Sequence, residues 1–485
     1  MLCATGAAAP AIVKPDDYRL LVKLSSPALA PDGTRAALVV SHTVWDDNRR
    51  TDDLVLVDLR TKTQQTIVNG GKDVSTPVFS PDGSKLAYLA SDGTGDDAHA
   101  QIYVSALDGS APRAITALKT DVDVFAWRPD GQGVAYAATD PDPVRSGADR
   151  FRNSFVFTTE PIVAHSEPKP DHLFVADLTG GVPVQLTSGT QSVAGDSTIS
   201  WSPDGKAIAV TVSRNGVLND QSYSRIALVD VATKDVRYLT GRTMWEGGPL
   251  FSPDGSHIAY AVSNADPQVS LSQLFVTTPS GGKGYAVGTS LDRNVSGAAW
   301  ASDSQSLVGV FEDRTTNALY RIPLHGTPQR LDTADVTPGI PGTTTGSADP
   351  PNLPGAIASD GSIAFIATST AQPPELYVRA AAGSVAKITD FNAALAAFSW
   401  GAAQRVTFPT STGVTADGVL YEPPGFSPGR RYPLIVYVHG GPDDPSMIEF
   451  DFWAQVMAAR GWLVLRPNYR GSPNLGIRYQ RAILY

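Results

Sequence analysis

The sequence predicts an all-β seven-bladed β-propeller followed by the opening of an α/β domain with a parallel sheet. Three observations predict it. A Pro-Asp-Gly turn recurs in five intact and two degenerate copies, most copies stand about 50 residues apart, and the pattern changes to strand, helix, strand after Trp400.

The repeating unit is an apolar residue, a small or polar residue, Pro-Asp-Gly and an alternating apolar run. It appears as LAPDGTRAALVV from Leu29, FSPDGSKLAYLA from Phe79, WRPDGQGVAYAA from Trp127, WSPDGKAIAVTV from Trp201 and FSPDGSHIAYAV from Phe251. The degenerate copies are WASDSQSLVGVF from Trp300 and IASDGSIAFIAT from Ile357, so the start-to-start spacings are 50, 48, 74, 50, 49 and 57. Proline presets φ, aspartate bonds its own backbone and glycine accepts the left-handed conformation that closes a tight hairpin. The run after each turn reads as a strand packed between sheets. A second hairpin follows in each unit, as in QIYVSALDGSAPRAIT at Gln101, HLFVADLTGGVPVQLT at His172 and ELYVRAAAGSVAKIT at Glu375. Two hairpins make four antiparallel strands, and seven such units make a propeller. A β-sandwich or a tandem of small β domains fits poorly, because the period is too regular. The aromatic residues before the turns, Phe79, Trp127, Trp201, Phe251 and Trp300, are expected to pack between neighbouring blades rather than to stack on bases or a cofactor.

The long third interval holds an insertion from Thr139 to Pro170, rich in Pro and charge, which reads as a surface excursion over one face of the propeller. His165, Glu167, Asp171 and His172 fall in or beside it. Their spacing matches no recognised metal site, and the proline-broken backbone keeps them off a common helix face, so no metal is assigned.

Composition narrows the partners. The chain carries 38 Lys and Arg against 48 Asp and Glu, a net charge of −10, with no basic run, which argues against nucleic acid. Cys3 is the single cysteine, which excludes an intrachain disulfide and a Cys-rich zinc site. No run reaches the ~18 apolar residues of a membrane span. The N-terminal MLCATGAAAPA ends in small residues as a signal-peptide cleavage region does, yet it lacks a basic start and a full apolar core. A frayed terminus is the alternative; the reading leans to an exported, periplasmic protein over a cytoplasmic one. The oligomeric state is open.

Beyond Trp400, GVLYEPP reads as a short strand, YPLIVYVHGG as a buried strand, Phe450 to Gly461 as an amphipathic helix closed by glycine, and WLVLRPNYRG as another buried strand. Here the chain resembles the prolyl oligopeptidase family of serine peptidases, in its acylaminoacyl-peptidase and dipeptidyl-peptidase-like branch. The resemblance rests on YPLIVYVHGGP at Tyr432 to Pro442, ARGWLVLRPNYRGS at Ala459 to Ser472 and the Ser-Pro-Asp-Gly blades, and it covers the chain from about Pro15. It implies residues 1–24 as an N-terminal segment, 25–405 as the propeller and 406–485 as the incomplete N-terminal part of an α/β-hydrolase domain.

In that fold the loop after this strand supplies a backbone N–H of the oxyanion hole, and glycine lets the backbone approach a reacting carbonyl. By resemblance the candidates are Gly440 and Gly441, with His439 beside them; a Gly-rich turn needed only to leave the strand is the plainer alternative. Asn468 to Ser472 reads as scaffold, with Arg470 tying loops together. Gly425-Phe426-Ser427-Pro428-Gly429 fits the Gly-x-Ser-x-Gly nucleophile pattern in the wrong context. A nucleophile elbow needs a strand running into a turn and then a helix. Ser427 follows Pro-Pro-Gly and precedes Pro428, two arginines and a strand.

No other Gly-x-Ser-x-Gly occurs, and no histidine follows His439. The Ser, Asp and His that the family uses, in that order, are therefore expected beyond Tyr485, and the chain is expected to be an inactive, truncated fragment whose C-terminal part is loosely held. The resemblance implies hydrolysis of short peptides by acyl-enzyme chemistry, with the propeller restricting entry and no cofactor. A non-catalytic, TolB-like binding or scaffolding propeller and an esterase-type α/β hydrolase are the alternatives.

Overall fold

Each copy of the repeat closes a turn between the first two strands of a small antiparallel sheet. In the computed structural model, which describes residues 11–71, 73–92, 98–107, 110, 112–140, 146–147, 169–193, 198–217, 223–241, 245–263, 269–339, 355–411, 413–441 and 444–484, the turns repeat one geometry. The N–H of Gly83 donates to Ser80 O at 2.8 Å, and Gly131, Gly205 and Gly255 make the same bond at 2.8–2.9 Å. These glycines sit at φ between 66° and 72°, where a Cβ is disfavoured. In the degenerate copy Ser304 stands in the glycine place, keeps a left-handed φ of 56° and donates to Ala301 O at 3.1 Å. The turn aspartates are acceptors. Asp82 takes the Ser80 hydroxyl at 2.5 Å and the Ser84 N–H at 3.0 Å, and these bonds hold its carboxyl down at about 2.

Seven sheets follow in chain order, over residues 23–71, 75–114, 122–185, 192–238, 246–287, 295–330 and 337–387, each with hydrogen-bonded neighbours that are also neighbours in sequence. The fourth has its first edge in two pieces, Ser192–Val193 and Ser200–Trp201, both paired with Ala207–Ser213. Several last strands are two residues long, including Arg113–Ala114, Val184–Gln185 and Gln329–Arg330, which leaves little edge open to another chain.

The apolar core lies between sheets rather than within any one. Sheets one and two share a cluster around Leu54 and Leu86, two and three one around Ile102 and Val134, and three and four one around Leu173 and Ile208. Further clusters join four to five, five to six and six to seven. The seventh packs against the first through Ile366 and Leu376 on one side and Leu38 and Val57 on the other. The aromatic residues act as expected. Trp127 Nε1 donates to Val78 O at 3.0 Å, Trp201 Nε1 to Ala126 O at 3.4 Å and Trp300 Nε1 to Leu250 O at 2.9 Å. Each indole thus reaches the first strand of the preceding sheet, joining a large apolar contact to one polar bond.

After Trp400 an eighth sheet has the spatial order Ala403–Pro409, Thr415–Tyr421, Leu463–Pro467, Leu434–Val436. Its last two strands are parallel, with Ile435 opposite Val464, and the chain between them contains the helix Phe452–Ala459. The helix starts two residues later than the sequence pattern suggested, because Asp451 caps it by accepting Ala454 N–H at 2.9 Å. The expected buried strand at Tyr432 to Gly441 is corrected. Leu434 and Val436 are each 54% exposed and Val438 58%, since Leu434–Val436 has a paired neighbour on one side alone among the described residues.

Residues 1–10, with Cys3, and residues 148–168, with His165 and Glu167, lie outside the described residues. Residues 11–21 are docked on the C-terminal part. Ala11 N–H donates to Ala397 O at 3.1 Å, and Val13 and Leu21 share a cluster with Phe450, Phe452 and Val456. Tyr18 stacks on Trp453 with centroids 5.6 Å apart. The C-terminal part also docks on sheets six and seven. Phe450 N–H donates to Thr368 Oγ1 at 2.9 Å, Gln455 Nε2 to Thr370 O at 2.8 Å and Ile448 N–H to Thr315 O at 2.7 Å. No helix among the described residues is long and apolar enough to cross a membrane.

Candidate active site

The strand Leu434–Val436 delivers the chain to His439, Gly440 and Gly441 at the carboxyl end of the parallel pair. Pro442 lies outside the described residues. The two glycines differ physically. Gly441 has φ 112°, so its backbone requires glycine. Gly440 has no such φ, and a Cβ there would meet nothing within 4 Å. Neither conformation nor neighbours among the described residues demand a glycine at 440, and its missing side chain leaves bare, exposed backbone.

His439 is half-buried and held on three sides. Its ring stacks on Tyr469 with centroids 4.2 Å apart and 15° between planes. Nδ1 lies 2.9 Å from Gly440 O and Nε2 lies 2.9 Å from Ser472 Oγ. Both ring nitrogens therefore have a hydrogen-bond partner, which fixes the orientation of the ring. Tyr469 Oη donates to His439 O at 2.8 Å. The tyrosine therefore grips both the ring and the backbone at the start of the glycine turn.

Behind this layer stands a buried polar group. Asn468 is fully buried; its Nδ2 donates to Asp417 Oδ1 at 2.9 Å and its Oδ1 accepts Ser446 N–H at 2.6 Å. Tyr479 Oη donates to Asn468 O at 3.0 Å, and burial pushes that phenol up to about 12, so it remains a donor. These bonds fix both sides of the Tyr469–Ser472 turn, which in turn fixes His439.

Ser472 and His439 form a serine–histidine contact, which the sequence reading did not foresee. Ser472 has no exposed surface, and its Oγ also lies 2.8 Å from Tyr469 O. A nucleophile must reach a carbonyl carbon at about 3 Å, and a serine with no exposed surface offers no such approach; here it orients the ring. Ser427 is exposed, its N–H donates to Tyr432 Oη at 2.9 Å, and it lies in the turn before the strand. The loop ties are made by Asn468, Tyr469 and Ser472. Arg470, expected in that role, is exposed and makes no hydrogen bond to a described residue. The motif NYRGS carried the signal for these residues, but read as scaffold it did not reveal that they converge on His439.

Asp171 and His172 begin a strand of the third sheet, where Thr139 Oγ1 donates to Asp171 Oδ1 at 2.5 Å and His172 Nε2 lies 3.4 Å from Asp140 Oδ2. Among the described residues no three His, Cys, Asp or Glu side chains stand together as metal ligands would.

No family model matches the chain. The chain is 24% identical to the uncharacterized peptidase YuxL of Bacillus subtilis over 97% of its own length and 73% of that protein's. It is 25% identical to dipeptidyl-peptidase 5 of Porphyromonas gingivalis over 97% of this chain and 69% of the relative. The acylaminoacyl peptidase of Pyrococcus horikoshii superposes with a TM-score of 0.71 at 18% identity, covering 96% of this chain and 68% of that one. Relatives named as peptidases match almost the whole chain, and its fold is shared with an acylaminoacyl peptidase: the chain is similar to the peptidases of the prolyl oligopeptidase family.

Proposed function

We propose that residues 25–405 form a seven-bladed β-propeller, that residues 406–485 are the first part of an α/β-hydrolase domain, and that the protein hydrolyses short peptides by serine acyl-enzyme chemistry. The propeller reading is supported by the cluster joining the seventh sheet to the first, which closes the sequence of sheet-to-sheet contacts. The observation that carries the functional reading is the exposed Gly440–Gly441 turn at the end of a parallel strand, braced by His439, Tyr469 and Ser472. A backbone held in this way presents N–H groups whose orientation is fixed before the reaction, which is what stabilises a tetrahedral oxyanion.

In this reading the nucleophile, acid and base are not among these 485 residues, so the chain alone does not turn over peptides. Placed over the hydrolase part, the propeller admits short peptides and excludes folded proteins. The test is fluorophosphonate labelling together with turnover of short chromogenic peptides. The full-length protein should be labelled and active, whereas this chain should be labelled at neither Ser427 nor Ser472. A full-length protein that binds peptides saturably without labelling or turnover would overturn the peptidase reading. It would favour the second reading, a binding propeller.

A further inference from the structure

The sixth sheet carries a feature that its own stability does not explain. Its second and third strands, Ser306–Asp313 and Thr316–Pro323, pair Asp313 with Thr316 and leave Arg314 and Thr315 as a two-residue turn. Arg314 sits at φ 59°. A hairpin turn with a positive φ at its first central residue ordinarily takes glycine there, because a Cβ in that conformation is strained. An arginine at such a place is a reason to look for what the side chain does.

The turn is plugged into the C-terminal part. Arg314 N–H donates to Asn474 O at 3.0 Å, and Asn474 Nδ2 donates back to Arg314 O. The guanidinium reaches over to Asp417, with Nη1 3.6 Å from Oδ2. Asp417 is fully buried, and its Oδ2 has no hydrogen-bond donor among the described residues, so the arginine is the charge that faces this oxygen. The other oxygen holds Asn468 Nδ2 at 2.9 Å, while Asn468 N–H donates to Asp417 O at 2.8 Å. Asn468 leads directly to Tyr469, which bonds the His439 carbonyl, and to Ser472, which bonds the His439 ring.

We infer that Arg314 is a positioning residue for the His439–Gly440–Gly441 turn, acting from the sixth sheet through Asp417 and Asn468. The guanidinium faces the buried carboxylate and holds it in place; the carboxylate orients Asn468, and Asn468 sets the turn that grips His439. Without the arginine a buried carboxylate is left without its counter-charge. It then moves toward water, and Asn468 loses its fixed acceptor. The inference rests on the proposed peptidase reading for its catalytic consequence but not for its structural one.

Two readouts keep these apart. In the full-length protein, Arg314→Gly relieves the strained φ but strands the buried carboxylate, so the thermal midpoint should fall and should recover when Asp417→Asn is added. The kcat for a short chromogenic peptide should fall at least tenfold with KM within twofold. Adding Asp417→Asn removes the stranded charge while keeping an oxygen acceptor for Asn468, and should return kcat to within threefold of wild type. With histidine selectively labelled with nitrogen-15, the His439 ring signal, assigned by its loss in His439→Gln, should shift in Arg314→Gly and return in the double variant. A wild-type kcat in Arg314→Gly would overturn the inference, as would a loss of kcat that Asp417→Asn fails to restore. If the wild-type protein has no peptidase activity, the peptidase reading fails and the ring signal decides alone: movement and return support the inference, and a signal unmoved by Arg314→Gly overturns it.

Discussion

The seven repeated sheets and the segment from residue 403 onward use β-structure in opposite ways. In the repeats strands pair with their neighbours in sequence, apart from the split first edge of the fourth sheet, and each sheet buries both faces against the sheets before and after it. In the eighth sheet the parallel pair joins residues about 30 apart in sequence, Ile435 and Val464, and one edge carries exposed Leu434, Val436 and Val438. Order in the first region comes from local turns reinforced by the next copy of the same turn. In the second it depends on two small apolar clusters and a few long-range polar contacts, such as Asn468 with Asp417 and Arg466 with Glu449. Repetition spreads stability over many equivalent contacts, whereas a small mixed sheet concentrates it in a handful.

This contrast is tested first where the largest effect is expected. Trp300→Ala empties an inter-sheet cluster and leaves Leu250 O without its indole donor. It should cost about 3–5 kcal/mol, read as a drop in the denaturant midpoint of the repeated sheets. A loss under ~1 kcal/mol would show that the sheets do not depend on one another through this cluster. Next comes Arg466, whose Nη1 lies 2.9 Å from Glu449 Oε1 and 3.1 Å from Asp451 Oδ2. Arg466→Ala should cost about 3 kcal/mol by leaving two carboxylates uncompensated. Because these contacts lie in the C-terminal part, limited proteolysis should cut residues 403–484 faster while the repeats stay resistant. Equal cutting throughout would mean that the two regions unfold as one.

Gly441→Ala forces a side chain into φ 112° and should cost about 1–2 kcal/mol. Gly440→Ala meets no described atom within 4 Å and should change stability by less than ~0.5 kcal/mol. Peptide turnover in the full-length protein should fall in both, and a Gly440→Ala variant with full activity would remove that residue from the proposed oxyanion site. The smallest effect is expected at the turns. The Ser80 hydroxyl, the Ser84 N–H and the Ser84 hydroxyl hold the Asp82 carboxyl at about 2 against its ordinary 3.8. A carboxyl more acidic in the folded state contributes stability that is present above the unfolded value and lost as pH falls through the folded one. Asp82→Asn should therefore flatten the fall of the thermal midpoint between about pH 4 and pH 2, by an amount that exposure keeps small. An unchanged slope would mean that this bond does not change on unfolding.

The repeated part of the fold was legible because its information is local. Pro-Asp-Gly states its own turn, the alternating run states its own strand, and an aromatic residue at a fixed offset states where the next sheet packs. The helix Phe452–Ala459 was legible for the same reason, apart from the cap that shortened it. At the candidate site the glycines were legible as glycines. The residues that make them a site were not, because Tyr469 and Ser472 lie 30 and 33 positions beyond His439, and Arg314 is more than 100 residues before it. Burial of the strand at Leu434–Val436 was misread because an apolar run records a tendency to be covered, while coverage depends on which strands pair beside it.

By itself the sequence determined the number of sheets, their turns, their order and the glycine turn, since each is set by the conformational limits of a few adjacent residues. Only the tertiary structure decided that the seventh sheet meets the first, that residues 11–21 pack on the C-terminal helix, and that an arginine on a strained hairpin faces a buried aspartate behind His439. Those are meetings of distant segments. Shape and charge matched across an interface select them, and no short stretch of chain contains both sides of the match.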